Sequence, residues 1–397
     1  MLRLPTLHPE LPFTRTKHMS TTRCCTKVFV TRFLFGAQHI KNSVKGFVMH
    51  IPDGYLSPAT CATMFAAATP FWYVAGQRIK KTLNMRMVPL LSVFAAFSFI
   101  IMMFNLPLPG GTTGHATGVA IAAIVLGPWG SMIAVSVALV IQAVFFGDGG
   151  VLAIGANCFN MAIVGSLVAH WVYQAAAGKS PLTASRRVIA AALAGYLSIN
   201  VAAFITAVEF GVQPLWFTDA AGTPLYAPYG LNIAIPAMMA GHLTIAGLAE
   251  LIVTAGVVAY LQRSDLSLLA FNAPVTSTTA TNAAGWNGSR RLWVIIAALM
   301  VLTPLGLLAA GTAWGEWSAT DLVSGTGTTP VLAKAPTGLA RLAEFWAAPL
   351  SGYNLPFMAN AQFGYIMSAL VGIGTIILVF VFVGIISERM RKHNSAT

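Results

Sequence analysis

From residue 58 onward the chain alternates long apolar runs with short polar clusters. Nine of these runs can be read as helices crossing about 30 Å of hydrocarbon. They cover 58–77, 87–104, 115–127, 128–147, 152–176, 187–209, 233–261, 291–312 and 362–386. The third is short, closed by the Gly127-Pro128 turn. Such a segment is stable at membrane depth where protein covers it or where it lines a site. The fourth begins on Pro128, which suits a first helical turn. A stretch rich in Ser, Thr, Asn, Ala and Gly at 264–290 reads as a linker. It separates a seven-helix unit, 49–263, from a two-helix C-terminal unit, 291–390, whose helices are joined by the loop 313–361. The pattern predicts an all-α polytopic membrane protein.

Composition agrees, because only 9% of the 397 residues are charged, whereas soluble domains carry about 25%. The distribution of charge then sets an orientation. With Met49 outside and the helices alternating, thirteen Lys and Arg fall in inside loops, and only Lys334 and Arg341 fall outside. That is the bias of cytoplasmic loops, so the linker and the C-terminus are expected in the cytoplasm. The same topology would place residues 1–48, with eight Lys/Arg against Glu10 alone, on the wrong side. This leader has no continuous apolar core of a secretory signal. It is read as a mis-assigned start ahead of Met49, with a removed targeting segment or a true basic arm as alternatives. The four cysteines have no CxxC spacing, which argues against a disulfide scaffold.

Ionisable residues inside a membrane are costly and point to function. His50 and His115 both fall on the outside under this topology, so they can converge. If Met49 is the first residue, its α-amine, the His50 amide nitrogen and the His50 Nδ1 form two fused chelate rings, and His115 can supply a fourth nitrogen. Planar nitrogen ligation suits Ni(II) or Cu(II), and low-spin cobalt can adopt it. Zinc prefers tetrahedral sites, and magnesium or calcium oxygen. Ligating imidazoles must be neutral, so affinity is expected to fall below about pH 6.5. Asn157 and Asn160 are candidates to hold a ligating imidazole, as are Gln142 and Asn105, although each is equally suited to bonding between helices. His242 and Glu250 share roughly one face of the seventh helix and read as transit or coupling residues. No HExxH occurs, and no ATPase motif. Ala177-Gly178-Lys179-Ser180 imitates the end of a P-loop by chance, since position 173 is Tyr.

Met49-His50-Ile51-Pro52-Asp53-Gly54 and Pro107-Leu108-Pro109-Gly110-Gly111-Thr112-Thr113-Gly114-His115 resemble two signatures of one family. Leu126-Gly127-Pro128-Trp129, Gln142-Ala143-Val144-Phe145-Phe146-Gly147-Asp148-Gly149-Gly150 and Gly155-Ala156-Asn157-Cys158-Phe159-Asn160-Met161 follow in the same order. The family is CbiM/NikM, the substrate-binding membrane component of cobalt and nickel energy-coupling-factor transporters. The second unit resembles its small two-helix CbiN/NikN-like partner, with the usual Pro-Asp-Gly-Leu-Glu signature degraded to Pro336-Thr337-Gly338-Leu339-Ala340.

The resemblance implies metal ligands at Met49, His50 and His115, and a transported Ni²⁺ or Co²⁺ rather than a resident cofactor. It implies a multi-pass protein of the bacterial inner membrane, not an enzyme, with a transmembrane coupling protein and ATPase subunits as partners and no nucleic acid. The second unit is expected to modulate transport rather than bind the ion tightly, since it lacks His in its outside loop. Two rival readings are a membrane metalloenzyme built on His115, His242 and Glu250, and a vitamin-capturing subunit of the same transporter class.

Overall fold

The computed structural model describes residues 50–82, 87–108, 112–270, 286–309, 311–325, 331–355 and 357–394. The leader, Met49 and most of the linker lie outside them. The helices are α1 (Pro58–Thr82), α2 (Met87–Ile101), α3 (Val119–Phe146), α4 (154–177), α5 (Ser185–Trp216) and α6 (Leu231–Ser264). A short α7 (Leu266–Ala270) follows, then α8 (Trp286–Leu302), α9 (Ala319–Ser324), α10 (Thr337–Leu342) and α11 (Ala361–Asn394). The only sheet among the described residues is a hairpin, β1 (Leu106–Leu108) against β2 (Thr112–Gly114).

Among the described residues five helices are long and apolar enough to cross a membrane: α3, α5, α6, α8 with its continuation to Leu308, and α11. The chain is an all-α polytopic membrane protein. Two sequence expectations need adjustment. The runs 115–127 and 128–147 form one kinked helix, broken at Gly127, whose φ of 75° and ψ of 169° lie outside helical space just before Pro128. Its first turn begins at Val119, so His115 sits in the connection from β2 and not on the helix. The linker is also shorter than composition suggests, because α7 and the start of α8 occupy both its ends.

Local sequence explains where the elements begin. Pro58 occupies the first turn of α1, and the Ser57 hydroxyl accepts the Thr60 amide at 3.0 Å as its cap. Three helices widen into π turns, at Gln142–Phe146, Cys158–Gly165 and His242–Ala246. Each such turn holds a residue singled out above: Gln142, Asn160 or His242. π turns concentrate at functional sites because the extra residue re-aims side chains without ending the helix.

The largest core joins α2, α3 and α11. Gly372 lets α11 press onto the Phe99 ring, where any side chain would collide. Phe99, Phe146 and Tyr353 form an aromatic group, with Phe146 and Tyr353 stacked at 4.8 Å. The second unit therefore packs directly on the first. Its long loop also meets the first unit's loops at the end of the bundle that carries His50. Tyr55 donates to the Trp317 carbonyl at 2.8 Å, Thr112 to the Thr312 carbonyl at 2.9 Å, and the Leu339 amide to the Leu225 carbonyl at 2.9 Å.

Candidate metal centre

The His50–Tyr55 stretch is clamped to the loop before α4. Asp53 accepts the amides of Val151 and Leu152 at 3.0 and 2.8 Å, and the Gly150 amide donates to the Ile51 carbonyl at 2.9 Å. Asn157 completes the clamp like a strand partner. Its Oδ1 accepts the Ile51 amide at 3.0 Å and its Nδ2 donates to the Ile51 carbonyl at 3.1 Å. Gly149 adopts φ +91°, and a Cβ there would lie 2.9 Å from the His50 Cβ. Only glycine lets the loop come this close.

These contacts bury His50 beside Asp148. The His50 Nδ1 lies 2.9 Å from the Asp148 Oδ1, and its Nε2 is buried without a hydrogen-bond partner among the described residues. Asp148 is itself held. Tyr353, from the second unit, donates to its Oδ2 at 2.6 Å, and Gln142 Nε2 does so at 3.3 Å. Chelation through Nδ1, as the sequence suggests, calls for a half-turn about Cβ–Cγ, which exchanges Nδ1 with Cδ2 and gives up the Nδ1–Asp148 contact.

His115 comes from the other side. Its ring centroid is 5.3 Å from that of His50, with the planes inclined at 59°. Its Nδ1 bonds the Ala116 carbonyl at 2.9 Å, which fixes the tautomer and turns the lone pair of Nε2 outward as a donor. Burial, with the neighbouring His50 second, pushes its pKa down to about 4. The neutral imidazole, the form able to ligate a metal, is therefore the favoured one.

Both rings line one cavity of about 90 Å³, together with Asn157, Asn160, His242, Met161, Met238, Trp314 and Glu316. Among the described residues, three of these keep a buried polar atom without a hydrogen-bond partner: His50 Nε2, Asn160 Oδ1 and Glu316 Oε2. Burial first, and the charge of Asp148 second, push the Glu316 carboxyl well above the usual carboxylate range. Among the described residues no group of three or more His, Cys, Asp and Glu side chains is spaced to hold a metal ion.

The other expectations are partly redrawn. Asn157 holds the Ile51 backbone and not an imidazole. Asn160 donates to Thr206 and Glu209, at 3.0 and 2.9 Å. Gln142 reaches His50 only through Asp148. Asn105 is buried with its Oδ1 unpartnered, but it is not on the cavity wall. His242 is on the wall, its Nδ1 bonded to the Met238 carbonyl at 2.9 Å. Met49 lies outside the described residues.

Glu250 has a different task from the transit role expected of it. Its carboxylate accepts the amides of Thr117 and Gly118 and the Thr117 hydroxyl, at the N-terminus of α3. A carboxylate from α6 thus caps α3 and fixes the His115–Gly118 connection. This engagement also removes the free base that the metalloenzyme reading needs. Glu250→Ala is expected to orphan two buried amides, at about 1–3 kcal/mol each. Thermal unfolding of the purified variant should show the lowered midpoint, and an unchanged midpoint would deny Glu250 this role.

Asp148, Tyr353 and Glu316 were not among the residues expected to form the site. Asp148 had a signal in the sequence, being the acid of Phe146-Gly147-Asp148-Gly149-Gly150.

Comparison with known proteins agrees with this architecture. Residues 50–268 match the family described as the cobalt uptake substrate-specific transmembrane region, CbiM, and residues 289–389 match the PDGLE domain. The chain is 56% identical over 338 residues to the fused nickel transport protein NikMN of Rhodobacter capsulatus, covering 83% of this chain and 95% of that protein. It is 33% identical over 279 residues to the cobalt transport protein CbiM of Geobacter sulfurreducens, covering 69% and 75%. A solved structure of a truncated transition metal transporter superposes with a TM-score of 0.51 at 51% identity, covering 54% of this chain and 99% of that one. The chain belongs to the CbiM family of metal-uptake transporters, with a PDGLE domain fused behind the family's transmembrane region.

Proposed function

We propose that this chain captures Ni²⁺ or Co²⁺ at the outer face of the bacterial inner membrane and delivers it inward. It does so as the substrate-specific subunit of an ATP-driven energy-coupling-factor importer. Met49 is outside and the C-terminus cytoplasmic, in keeping with the thirteen-to-two bias of basic residues. A coupling protein and ATPase subunits supply the energy, since the chain carries no ATPase motif.

The observation that carries the reading is the pair of buried imidazoles 5.3 Å apart on one small cavity, backed by Asp148. Side chains alone do not complete a donor set among the described residues. The Met49 amine and the His50 amide nitrogen complete it, which favours ions that accept planar nitrogen ligation. The fused nickel transport protein of Rhodobacter capsulatus supports nickel as cargo. A volume of about 90 Å³ is far below the roughly 300–1,000 Å³ of organic-ligand pockets, which disfavours a vitamin. Uptake of radioactive nickel by cells expressing the chain with and without the coupling protein and ATPases tests the proposal. ATP-dependent accumulation is expected only in the full set, and equal accumulation by the chain alone would refute the partnership.

The amine ligand makes one further demand. Mass spectrometry of the protein from its own host is expected to find a mature chain starting at Met49. A functional protein that still carries residues 1–48 would remove the amine from the donor set.

A further inference from the structure

The cavity wall has two chemically distinct sides. The first unit gives it the imidazoles of His50 and His115. The second unit gives it a carboxylate, Glu316, presented from the loop between Ala313 and Trp317. Neighbouring contacts hold that loop in place. Thr112 bonds the Thr312 carbonyl, Thr113 bridges Ala313, and Tyr55 bonds the Trp317 carbonyl at 2.8 Å. Trp314 and Trp317 pack on Tyr229 at 5.7 and 6.0 Å. Despite this firm seating, Glu316 Oε2 is buried and has no hydrogen-bond partner among the described residues. A buried carboxylate oxygen left unpaired is costly, and sites of this kind persist where a ligand satisfies them.

An incoming divalent ion arrives wrapped in water, and nitrogen ligands must replace that shell stepwise. A carboxyl group is suited to the first replacement, because an arriving cation displaces its proton and meets an oxygen donor that hard, hydrated cations accept. It is poorly suited to keeping an ion that four nitrogens can take. From this placement we propose that Glu316 is the receiving ligand of the site, the first protein atom to displace water from the ion before its transfer to the nitrogens of His50 and His115. The idea rests on the capture reading above and assigns the fused second unit a chemical step in loading. Glu316 speeds release as much as capture, because a group that only passes the ion on lowers the barrier in both directions.

The test is stopped-flow mixing of NiCl₂ with the purified full-length protein, followed by chelator-driven release and an equilibrium titration. Glu316→Gln is expected to slow association and dissociation alike, by about tenfold or more, the effect of losing roughly 1.4 kcal/mol of stabilisation at the barrier. Kd and the absorption spectrum of the loaded site should stay unchanged. Glu316→Asp, which keeps a carboxyl group, should recover part of the rate. Unaltered rates in Glu316→Gln overturn the proposal, and so does a raised Kd with faster release, which would make Glu316 a resident ligand. Should the Gln variant not fold, slower association of Glu316→Asp at unchanged Kd supports the proposal and an unchanged rate overturns it. His115→Ala separates the two claims. If it binds nickel as the parent does, the capture reading falls and the receiving role falls with it.

Discussion

Replacing His115 with alanine is expected to abolish tight binding of Ni²⁺ and Co²⁺ while the protein stays folded. The imidazole comes from a connection that other groups hold in place. Glu250 fixes Thr117 and Gly118, and the hairpin fixes the preceding residues. Removing the ring therefore deletes a donor without dismantling its support. Losing an outer partner of a metal ligand costs about 10–100-fold in affinity, and losing the ligand itself should exceed that. His50→Ala and one extra residue ahead of Met49 should give the same phenotype, because each breaks the chelate at a different ring. His242→Ala should be milder, since the ring that meets His50 is that of His115. Acid dependence gives a second check. Burial holds His115 neutral down to about 4, whereas an α-amine ordinarily titrates near 8. Affinity should therefore decline as pH falls through the range of the amine, before His115 is protonated. Equilibrium titration of each variant, with thermal unfolding as the folding control, decides the matter. Parent-like binding by His115→Ala would place the fourth donor elsewhere.

The helices and the two histidines were legible because they rest on local signals. Apolar runs of membrane length, Ser57-Pro58 and the Gly127-Pro128 break all act within a few residues of themselves. The pairing of His50 with His115 was legible too, since loop charges put both on one side. What was hidden depends on contacts across the chain. Nothing near Glu250 says that it reaches 133 residues back to cap α3. Nothing near Tyr353 says that its hydroxyl ends on Asp148, 205 residues away. Asparagines illustrate the same limit. Asn157 and Asn160 were rightly placed near the site, but an amide bonds backbone as readily as imidazole, and only the fold decides which it meets.

Asp148→Asn should weaken nickel binding by about 10–100-fold, the usual cost of losing the group that orients a ligating histidine. The carboxylate accepts from three groups. Oδ1 faces the His50 ring nitrogen at 2.9 Å, and Oδ2 takes the Tyr353 hydroxyl at 2.6 Å and the Gln142 amide at 3.3 Å. Asparagine has one accepting atom and one donating atom in the same volume. Its NH₂ must then face either the His50 proton or the two donors from Tyr353 and Gln142, so one side of the site loses its bond. The negative charge goes as well, and with it the attraction for a cation and for a proton-donating imidazole. With Nε2 toward the ion, Nδ1 needs this acceptor. Tyr353→Phe is the informative partner, because it deletes one donor but leaves the carboxylate on His50. Its loss should be under about tenfold, since the site keeps its carboxylate and the lost bond lies one step further from the ion. Titrating both single variants and the double variant with NiCl₂ measures the coupling directly. Binding by Asp148→Asn within twofold of the parent would mean that the His50–Asp148 contact has no part in holding the metal.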